Sequence, residues 1–346
     1  MDERLYFEDI CRFEYDLSFL KNRSVFISGA SGLIGRYLVD VIMHKNIRDD
    51  LNCHVYALGR NEIRMDDYFK RYKETGLLSI LIHDICKPLT FFEHVDYVLH
   101  LAGNTHPVLY SSKPIETIEV NLLGTINMLD ICRSNPQSRF LLASSVEVYG
   151  EENHKETLFS EKDFGYIDPN TLRADYPESK RCAETLCQAY HREYDIDFVI
   201  ARLARVYGPS MLMNDSKSMS QFLLNGIRKE DIVLKSKGEQ LFSYCYVADA
   251  VTGILFLLEK GENTHAYNIA EDTVISLKQI AYIIAEYSGT KVVFDLPNST
   301  EKEGFSKAKN AILSCEKIEK AGWKATIELE EGIKRTLDIL GVDRSV

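Results

Sequence analysis

Residues 24–35 read SVFISGASGLIG, and this stretch decides the fold. Its first five residues are apolar or small and predict a short buried strand. Three glycines follow at a spacing of three, Gly29, Gly32 and Gly35, and the helical pattern of Leu33–His44 begins among them. Glycines at such a turn let the backbone approach a pyrophosphate, and the start of the helix offers N–H groups to its charge. The stretch therefore predicts a dinucleotide site, with a plain tight turn as the alternative.

The alternation of strand and helix continues to about residue 205. Further strands are predicted at His54–Leu58, Leu78–His83, Val95–Leu101, Arg139–Ala143 and Phe198–Leu203, and helices at Ile115–Arg133, Tyr176–Tyr194 and Ala248–Leu258. Strands that alternate with helices are typical of an α/β fold, here a Rossmann-like doubly wound parallel sheet. The elements after Gly208-Pro209 are shorter, which indicates a smaller carboxy-terminal α/β lobe over the ends of the strands.

The chain divides accordingly into three parts. Residues 1–23 are acidic and rich in aromatic side chains, and we expect a helical extension that packs on the body or on a partner subunit. Residues 24–204, with about 240–262, are predicted to form the NAD(P)-binding domain. Residues 205–239 and 263–346 are predicted to form the substrate-binding lobe.

The composition excludes several classes of protein. The chain has 346 residues, and 41 basic against 52 acidic side chains give a net charge of −11, which argues against a nucleic-acid-binding protein. No apolar run reaches the ~20 residues of a membrane span, and Met1–Arg4 lacks the start of a signal peptide, so we expect a cytoplasmic protein without a membrane partner. The eight cysteines are scattered and predict reduced thiols. Neither they nor the nine histidines show metal-ligand spacing, so no metal site is predicted.

The end of the second predicted strand bears on the choice of cofactor. Gly59 stands where an acid would bind the ribose hydroxyls of NAD, and Arg60 follows it. Because no carboxylate repels a 2′-phosphate and a guanidinium can bind one, NADP is slightly favoured. The alternative is that Arg60 stacks on the adenine and NAD binds. Asp84 and Ile85, which close the third strand, are predicted to contact the adenine edge.

A second group of residues predicts proton transfer. Tyr176 and Lys180 are four residues apart and therefore lie on one face of a helix. A buried ammonium beside a phenol lowers the phenol's pKa, so the tyrosine can remove a proton from an alcohol while hydride leaves for a nicotinamide. Ser145, after the strand Arg139–Ala143, is placed to hold the same alcohol oxygen. Tyrosine, lysine, serine and glycine turn together point to a dehydrogenase.

With these motifs the chain resembles the extended short-chain dehydrogenase/reductase family, that is, the NAD-dependent epimerases and dehydratases of nucleotide sugars. The matching residues are Gly29, Gly32 and Gly35, His100–Ala102, Asn121, Gly124 and Thr125, Ser144–Gly150, Tyr176 and Lys180, Arg202, Tyr207–Pro209 and Tyr246–Asp249. The segments Gly165–Pro169 and Arg173–Arg181 look most like the branch of UDP-glucuronate decarboxylases and sugar-nucleotide dehydratases. The resemblance implies that hydride leaves C4 of a nucleotide-activated sugar, that a 4-keto intermediate reacts, and that the hydride usually returns.

The resemblance also implies the residues of the site. Glu147 is implied as a base for a carbon-bound proton beside the ketone. The implied cofactor contacts are Gly29, Ser31, Gly32, Leu33, Ile34, Gly35, Leu101, Ala102, Gly103, Asn121, Tyr176 and Lys180. The implied substrate contacts are Thr105, His106, Arg173, Arg205, Phe242 and Tyr244.

Three departures from the family pattern limit the reactions that we expect. Val146 stands where dehydratases carry a residue that can protonate a leaving hydroxyl. Phe242 stands where decarboxylases and many epimerases carry an arginine, and Arg205 stands where asparagine or histidine is common. We therefore expect epimerisation or redox chemistry without loss of water. The alternatives are a UDP-glucuronate decarboxylase, a sugar-nucleotide 4,6-dehydratase or, in another class, a catalytically idle NAD(P)-binding sensor or scaffold.

The resemblance further implies a homodimer built from the two helices Ile115–Arg133 and Tyr176–Tyr194. Both carry more apolar positions than one face against a sheet needs. These positions are Ile118, Leu122, Ile126 and Leu129 in the first helix and Ala183, Leu186, Cys187 and Tyr190 in the second. The alternative is that all of them lie against the sheet of the same subunit.

Overall fold

The structure is a computed structural model and describes residues 1–91, 93–105, 107–151, 158–296 and 310–341. Its strands are β1 (Ser24–Ser28), β2 (His54–Gly59), β3 (Leu78–Ile82), β4 (Tyr97–His100), β5 (Arg139–Ser145), β6 (Asp197–Leu203), β7 (Arg205–Tyr207), β8 (Ile232–Leu234), β9 (Leu241–Phe242), β10 (Tyr244–Tyr246), β11 (His265–Ile269), β12 (Ile275–Ser276), β13 (Val292–Phe294) and β14 (Asn310–Ala311). Its α-helices are α1 (Glu3–Cys11), α2 (Leu33–Asp49), α3 (Glu62–Phe69), α4 (Pro107–Ser112), α5 (Pro114–Ser134), α6 (Asp175–Tyr194), α7 (Ser218–Ile227), α8 (Val247–Lys260), α9 (Leu277–Ser288), α10 (Glu316–Ala321) and α11 (Leu329–Leu340).

The central sheet is parallel throughout. In the part of the chain that the structure describes it has seven strands, in the order β11–β6–β5–β4–β1–β2–β3. Parallel neighbours need long crossover connections, which the helices between the strands supply. The chain reverses its direction across the sheet between β1 and β4, and open α/β sheets bind their ligands at the carboxyl ends of the strands beside such a point. The predicted Rossmann-like fold is confirmed.

Both faces of the sheet are covered by helices. In β1, Val25 and Ile27 belong to the core that includes α2 and α8, whereas Phe26 between them belongs to the core that includes α5 and α6. This alternation is the period of two that a strand imposes on its side chains. Because both faces are apolar, the strands read as continuous hydrophobic runs, which is why the sequence revealed them.

One predicted boundary is wrong. Residues from 263 onward were assigned to the smaller lobe, but β11 pairs in parallel with β6 along its whole length, from His265 opposite Val199 to Ile269 opposite Leu203. The preceding helix α8, which is predominantly apolar and almost entirely buried, returns the chain to the sheet. The main domain therefore takes its seventh strand from beyond residue 262.

The smaller lobe approaches the carboxyl end of the sheet through short strands. Strand β7 starts two residues after the end of β6 and pairs in parallel with β10, with Arg205 opposite Tyr244. Strand β9 lies between β12 and β14 and ends at Phe242, just before β10. This connectivity brings Arg205, Phe242 and Tyr244 together above the end of the sheet.

The amino-terminal extension forms helix α1 and packs on the body of the same chain. Two buried carboxylates hold it there. Asp9 on α1 accepts hydrogen bonds from the hydroxyls of Tyr37 (2.8 Å) and Tyr246 (2.7 Å). Asp40 on α2 accepts one from the hydroxyl of Tyr6 (2.8 Å). The extension is thus tied to both α2 and β10.

Some of the apolar positions that were expected to form an interface on α5 and α6 are instead buried inside the chain. Leu129, Ala183 and Cys187 are fully buried against the sheet of their own subunit, which corrects their assignment to a surplus apolar face. Leu186 and Tyr190 are half-buried against the same core. The positions that stay partly exposed on α5 are Ile118, Leu122 and Ile126, to which Ile115 and Leu123 add.

Among the described residues, we find no helix with the length and apolar character that crossing a bilayer requires.

Candidate active site

A cavity of about 510 Å³ lies between the carboxyl end of the sheet and the smaller lobe. A cleft at this edge, lined by apolar walls and a few converging polar groups, is the usual ligand site of such a fold. It brings together most of the predicted site residues. They are Gly29, Gly32, Leu33, Ile34, Gly35, Leu101, Ala102, Gly103, Thr105, Ser145, Glu147, Arg173, Tyr176, Lys180, Arg205, Phe242 and Tyr244.

The glycine turn forms one wall of this cavity. Gly29 has a φ of +72°, and a Cβ atom there would lie 2.6 Å from the backbone nitrogen of Ala102, so only glycine fits. Gly32 caps α2 without a side chain, which leaves the first N–H groups of this 17-residue helix facing the cavity. Such a cradle fits the pyrophosphate of a dinucleotide.

Strand β5 and helix α6 place the proton-transfer residues on the opposite wall. Tyr176 and Lys180 lie one turn apart on α6 and are buried, and Ser145 ends β5. The Nζ atom of Lys180 donates to the carbonyl oxygen of Ala143 (2.8 Å) and lies 5.9 Å from the centre of the Tyr176 ring. The three predicted side chains thus face one space.

Burial dominates the titration of both α6 residues. It raises the pKa of Tyr176, and this effect exceeds the lowering by a hydrogen bond with Ser145; the Glu147 carboxylate raises the pKa further. Burial lowers the pKa of Lys180 to about 8, against the opposing effect of Glu184. The expected lowering of the phenol's pKa by Lys180 is therefore not the main effect in the free protein.

Glu147 and Arg205 form a pair inside the cavity. The Nη2 atom of Arg205 lies 3.3 Å from Oε1 of Glu147, and its guanidinium carbon lies 3.8 Å from the centre of the Phe242 ring. The Phe242 ring is therefore covered by the guanidinium. Of the substrate residues predicted on the lobe, Arg205 presents the charge and Phe242 supports it.

Several residues of the cavity were not found from the sequence. Tyr110 on α4 stacks on Tyr176, with ring centres 4.8 Å apart and planes 22° apart. Lys217, Lys235 and Gln240, all from the smaller lobe, also line the cavity. The contacts of Tyr110 and the two lysines depend on the tertiary fold, and no motif marked them.

The charge of the cavity is opposite to that of the chain. Its described lining contains five cationic side chains and a single carboxylate, that of Glu147. The cations are Arg173, Lys180, Arg205, Lys217 and Lys235. Lys217 and Lys235 also pair with Asp215 and Asp295, which do not line the cavity. In a protein of net charge −11, the excess of cations in the lining favours a negatively charged ligand.

Five predicted cofactor residues do not line this cavity: Ser31, Arg60, Asp84, Ile85 and Asn121. His106, predicted to contact substrate, lies outside the described residues.

Two of these five have other contacts that explain their position. Arg60 is half-exposed and donates to a carboxylate oxygen of Glu116 at 2.7 Å. Asn121 is fully buried and donates to the hydroxyl of Ser179 at 2.8 Å, so it joins α5 to the turn of α6 that carries Tyr176 and Lys180.

Metal ligands do not converge in the described residues: no group of three or more His, Cys, Asp or Glu side chains is placed to hold an ion.

Residues 25–270 match the model of the NAD dependent epimerase/dehydratase family. The chain belongs to this family. As a member it is an NAD-dependent enzyme, and the glycine turn, Tyr176 and Lys180 line its cavity.

Named relatives extend the family assignment. UDP-glucuronic acid decarboxylase 6 of Arabidopsis thaliana is 32% identical over 322 residues, which cover 91% of this chain and 88% of that protein. UDP-glucose 4-epimerase of Thermotoga maritima, solved with UDP-glucose, superposes with a TM-score of 0.76 at 22% identity and covers 91% of this chain and 98% of that one. A dTDP-glucose 4,6-dehydratase of Streptomyces venezuelae, solved with NAD, superposes with a TM-score of 0.77 at 20% identity and covers 91% and 96%. These structures share the fold of the present enzyme.

Proposed function

We propose that this enzyme oxidises the C4 hydroxyl of a UDP-sugar and then epimerises the sugar or changes its oxidation state without loss of water. The observation that carries the proposal is the meeting of Ser145, Tyr176 and Lys180 on one wall of a cavity whose other wall is the glycine turn. The UDP moiety is supported by the named relatives and by the cationic lining of the cavity.

The chain's own residues divide the work of the oxidation. Ser145 holds the C4 oxygen, and Tyr176 takes its proton. Lys180 supplies a positive charge that favours the phenolate. Bound NAD would accept the hydride that leaves C4. The backbone of the glycine turn and the start of α2 would hold its pyrophosphate, and Lys180 its nicotinamide ribose.

The residue at position 146 favours chemistry without loss of water. Elimination of a hydroxyl needs a proton donor, and Val146 is apolar and buried. Glu147, two residues after Ser145, is the base for a carbon-bound proton beside the ketone.

A second candidate is decarboxylation of a UDP-uronic acid. The Arabidopsis thaliana relative bears that activity in its name. Decarboxylases carry an arginine at the position of Phe242, and in this cavity the guanidinium of Arg205 lies next to that position.

We propose NAD as the natural cofactor. The NADP preference expected from the sequence requires Arg60 to be available, but Glu116 binds its guanidinium. Because Arg60 is paired with Glu116, its guanidinium is not offered to a 2′-phosphate. The pair therefore favours NAD, although position 59 carries no acid.

The dimer and the compartment are also proposals. The exposed apolar positions on α5 support a homodimer. The eight cysteines are all unpaired, which supports the reducing cytoplasm.

The test is turnover of UDP-glucose, UDP-N-acetylglucosamine and UDP-glucuronate by the NAD-loaded protein, with products identified by NMR and mass spectrometry. We expect an epimer or a redox product from one of them. A Tyr176→Phe variant should retain its affinity for NAD and lose at least ~10²-fold in turnover. In deuterated water, a C5 epimer should carry deuterium if Glu147 removes a carbon-bound proton.

The products separate the alternatives. A UDP-pentose with release of carbon dioxide would establish the decarboxylase. A 4-keto-6-deoxy sugar would contradict chemistry without loss of water. Cofactor binding without turnover of any nucleotide sugar would favour the idle sensor or scaffold.

A further inference from the structure

Arg205 lines the cavity between a buried aromatic ring and the carboxylate of Glu147. Its guanidinium carbon lies over the ring of Phe242, 3.8 Å from the ring centre, and Phe242 is itself only 6% exposed. A guanidinium stacked on a buried ring keeps its plane and presents its N–H groups along its edge. The direction in which Arg205 offers hydrogen bonds is therefore fixed before any ligand arrives.

The hydrogen-bonding capacity of Arg205 is not filled. Nη2 faces Glu147 at 3.3 Å, a long ion pair. Nη1 is buried and has no hydrogen-bond partner among the residues that the structure describes. A buried donor without an acceptor is costly, and a planar guanidinium is best satisfied by a carboxylate that binds two of its nitrogens. The side chain lines the cavity, so a ligand carboxylate can supply this acceptor.

The neighbours of Arg205 indicate which part of a ligand it would meet. Glu147 follows Ser145 by two residues and accounts for part of the electrostatic environment of Tyr176. Arg205 therefore lies at the reacting end of the cavity. Lys217 and Lys235 lie on the lobe side, where Lys217 is 3.4 Å from the hydroxyl of Thr105. Lys217 pairs with Asp215 at 3.6 Å and Lys235 pairs with Asp295, so each already has a carboxylate partner. We assign these two lysines to a diphosphate, and Arg205, beside Glu147, to the sugar ring.

We propose that Arg205 is the specificity-determining residue of this site and binds a carboxylate on the sugar ring, with Phe242 as its fixed support. The inference rests on the proposed function, because it takes the cavity as a nucleotide-sugar site. One guanidinium edge cannot hold two carboxylates in this way, so the substrate's acid displaces Glu147. Binding of an acidic sugar thus releases Glu147 toward the reacting carbon, whereas a neutral sugar leaves it paired.

The test compares the binding of UDP-glucuronate and UDP-glucose by calorimetry. All proteins are loaded with NAD and carry Tyr176→Phe, so that no turnover disturbs the measurement. We expect the parent to prefer UDP-glucuronate. Arg205→Gln should weaken UDP-glucuronate binding ~10–100-fold and change UDP-glucose binding by less than about twofold.

Two further variants keep the Arg205 charge and test its surroundings. Phe242→Leu removes the stacked ring and should weaken UDP-glucuronate binding by roughly 3–10-fold with little effect on UDP-glucose. Glu147→Gln removes the competing carboxylate and should strengthen UDP-glucuronate binding, again without effect on UDP-glucose. A merely structural role for Arg205 would not produce this gain.

The outcomes are distinct. Equal losses for both sugars in Arg205→Gln would show that Arg205 holds the shared diphosphate and would overturn the inference. Weaker or unchanged UDP-glucuronate binding in Glu147→Gln would overturn it as well, even if Arg205→Gln fails to fold. If the parent binds neither sugar nor UDP, the proposed function itself fails, and the inference fails with it.

Discussion

At the scale of single residues, the buried ammonium of Lys180 carries an energetic cost. It is 3% exposed and has the Ala143 carbonyl as its hydrogen-bond acceptor. Its pKa falls from 10.5 to about 8, which corresponds to a destabilisation of about 3 kcal/mol when it is charged. We expect Lys180→Met to stabilise the free protein by ~1–3 kcal/mol at pH 7, while its turnover is lost.

The pH dependence of this effect has a definite sign. Below pH 8 Lys180 is charged in both the folded and the unfolded state, and the full cost applies. Between pH 8 and 10.5 only the unfolded chain remains protonated, so the stability of the wild type rises toward that of the variant. Denaturant unfolding at pH 7 and pH 10 measures this, with the exposed Lys162→Met as the control. A variant less stable than the wild type at pH 7 would contradict the cost of the buried charge.

Glu116 is predicted to control the choice between NAD and NADP. Removing its charge in Glu116→Gln frees Arg60 for a 2′-phosphate and should tighten NADP binding ~10-fold, with little change for NAD. Arg60→Ala should weaken NADP binding. Fluorescence titration of protein stripped of cofactor measures both affinities, and the exposed Glu119→Gln on the same helix is the control. Equal effects on the two cofactors would mean that Arg60 only stacks on the adenine.

The cavity residues that could be predicted from the sequence are those whose spacing is fixed by a motif. The glycine turn, Ser145, Tyr176 and Lys180 have fixed spacings, because a turn and a helix determine their geometry. The pairing of Arg60 with Glu116, 56 residues away, has no such local signature. Tyr110 was missed for the same reason, since only the packing of α4 places its ring on Tyr176.

At the scale of elements, helix α1 depends on hydrogen bonds to buried carboxylates. Tyr6→Phe removes one donor from Asp40, which is 1% exposed and keeps a bond from Tyr72 at 2.9 Å. An under-satisfied buried carboxylate should cost ~1–3 kcal/mol of unfolding free energy. The same change in Tyr15→Phe removes a bond to the partly exposed Glu259 and should cost less than ~1 kcal/mol. Similar losses in chemical denaturation would refute a special role for burial.

At the scale of elements, strands were predictable wherever their own sequence is an apolar run, including the edge strand β3, whose residues are partly buried or exposed. Strands β1 to β6 read as apolar runs, and their predicted bounds differ from the observed ones by a few residues at most. Strand β11 is different. Like β3 it is an edge strand, but β3 has the apolar sequence LSILI, whereas β11 begins at the exposed His265 and its sequence HAYNI has no apolar run. Its place is decided by the return of α8 to the sheet rather than by its own composition.

At the scale of the whole molecule, the exposed side of α5 is predicted to form the dimer. We expect a dimer by sedimentation velocity at micromolar concentration. Ile118→Asp should dissociate it, because a carboxylate at a buried interface is strongly unfavourable. Ile63→Asp, at an 84% exposed isoleucine on α3, is the matched control and should leave the assembly unchanged. A monomeric wild-type protein at micromolar concentration would contradict the prediction of a dimer.

The two ends of the described chain are joined to each other. The backbone nitrogen of Asp2 donates to the carbonyl oxygen of Ile339 at 2.6 Å, and Arg335 on α11 lies 3.2 Å from Asp9 on α1. In mechanical terms, a force that pulls these two ends apart acts directly on the contact between them. Tension applied between residues 2 and 339 would first load the contacts of α1 with α11, and the seven parallel strands would bear force only after the amino-terminal helix had peeled away.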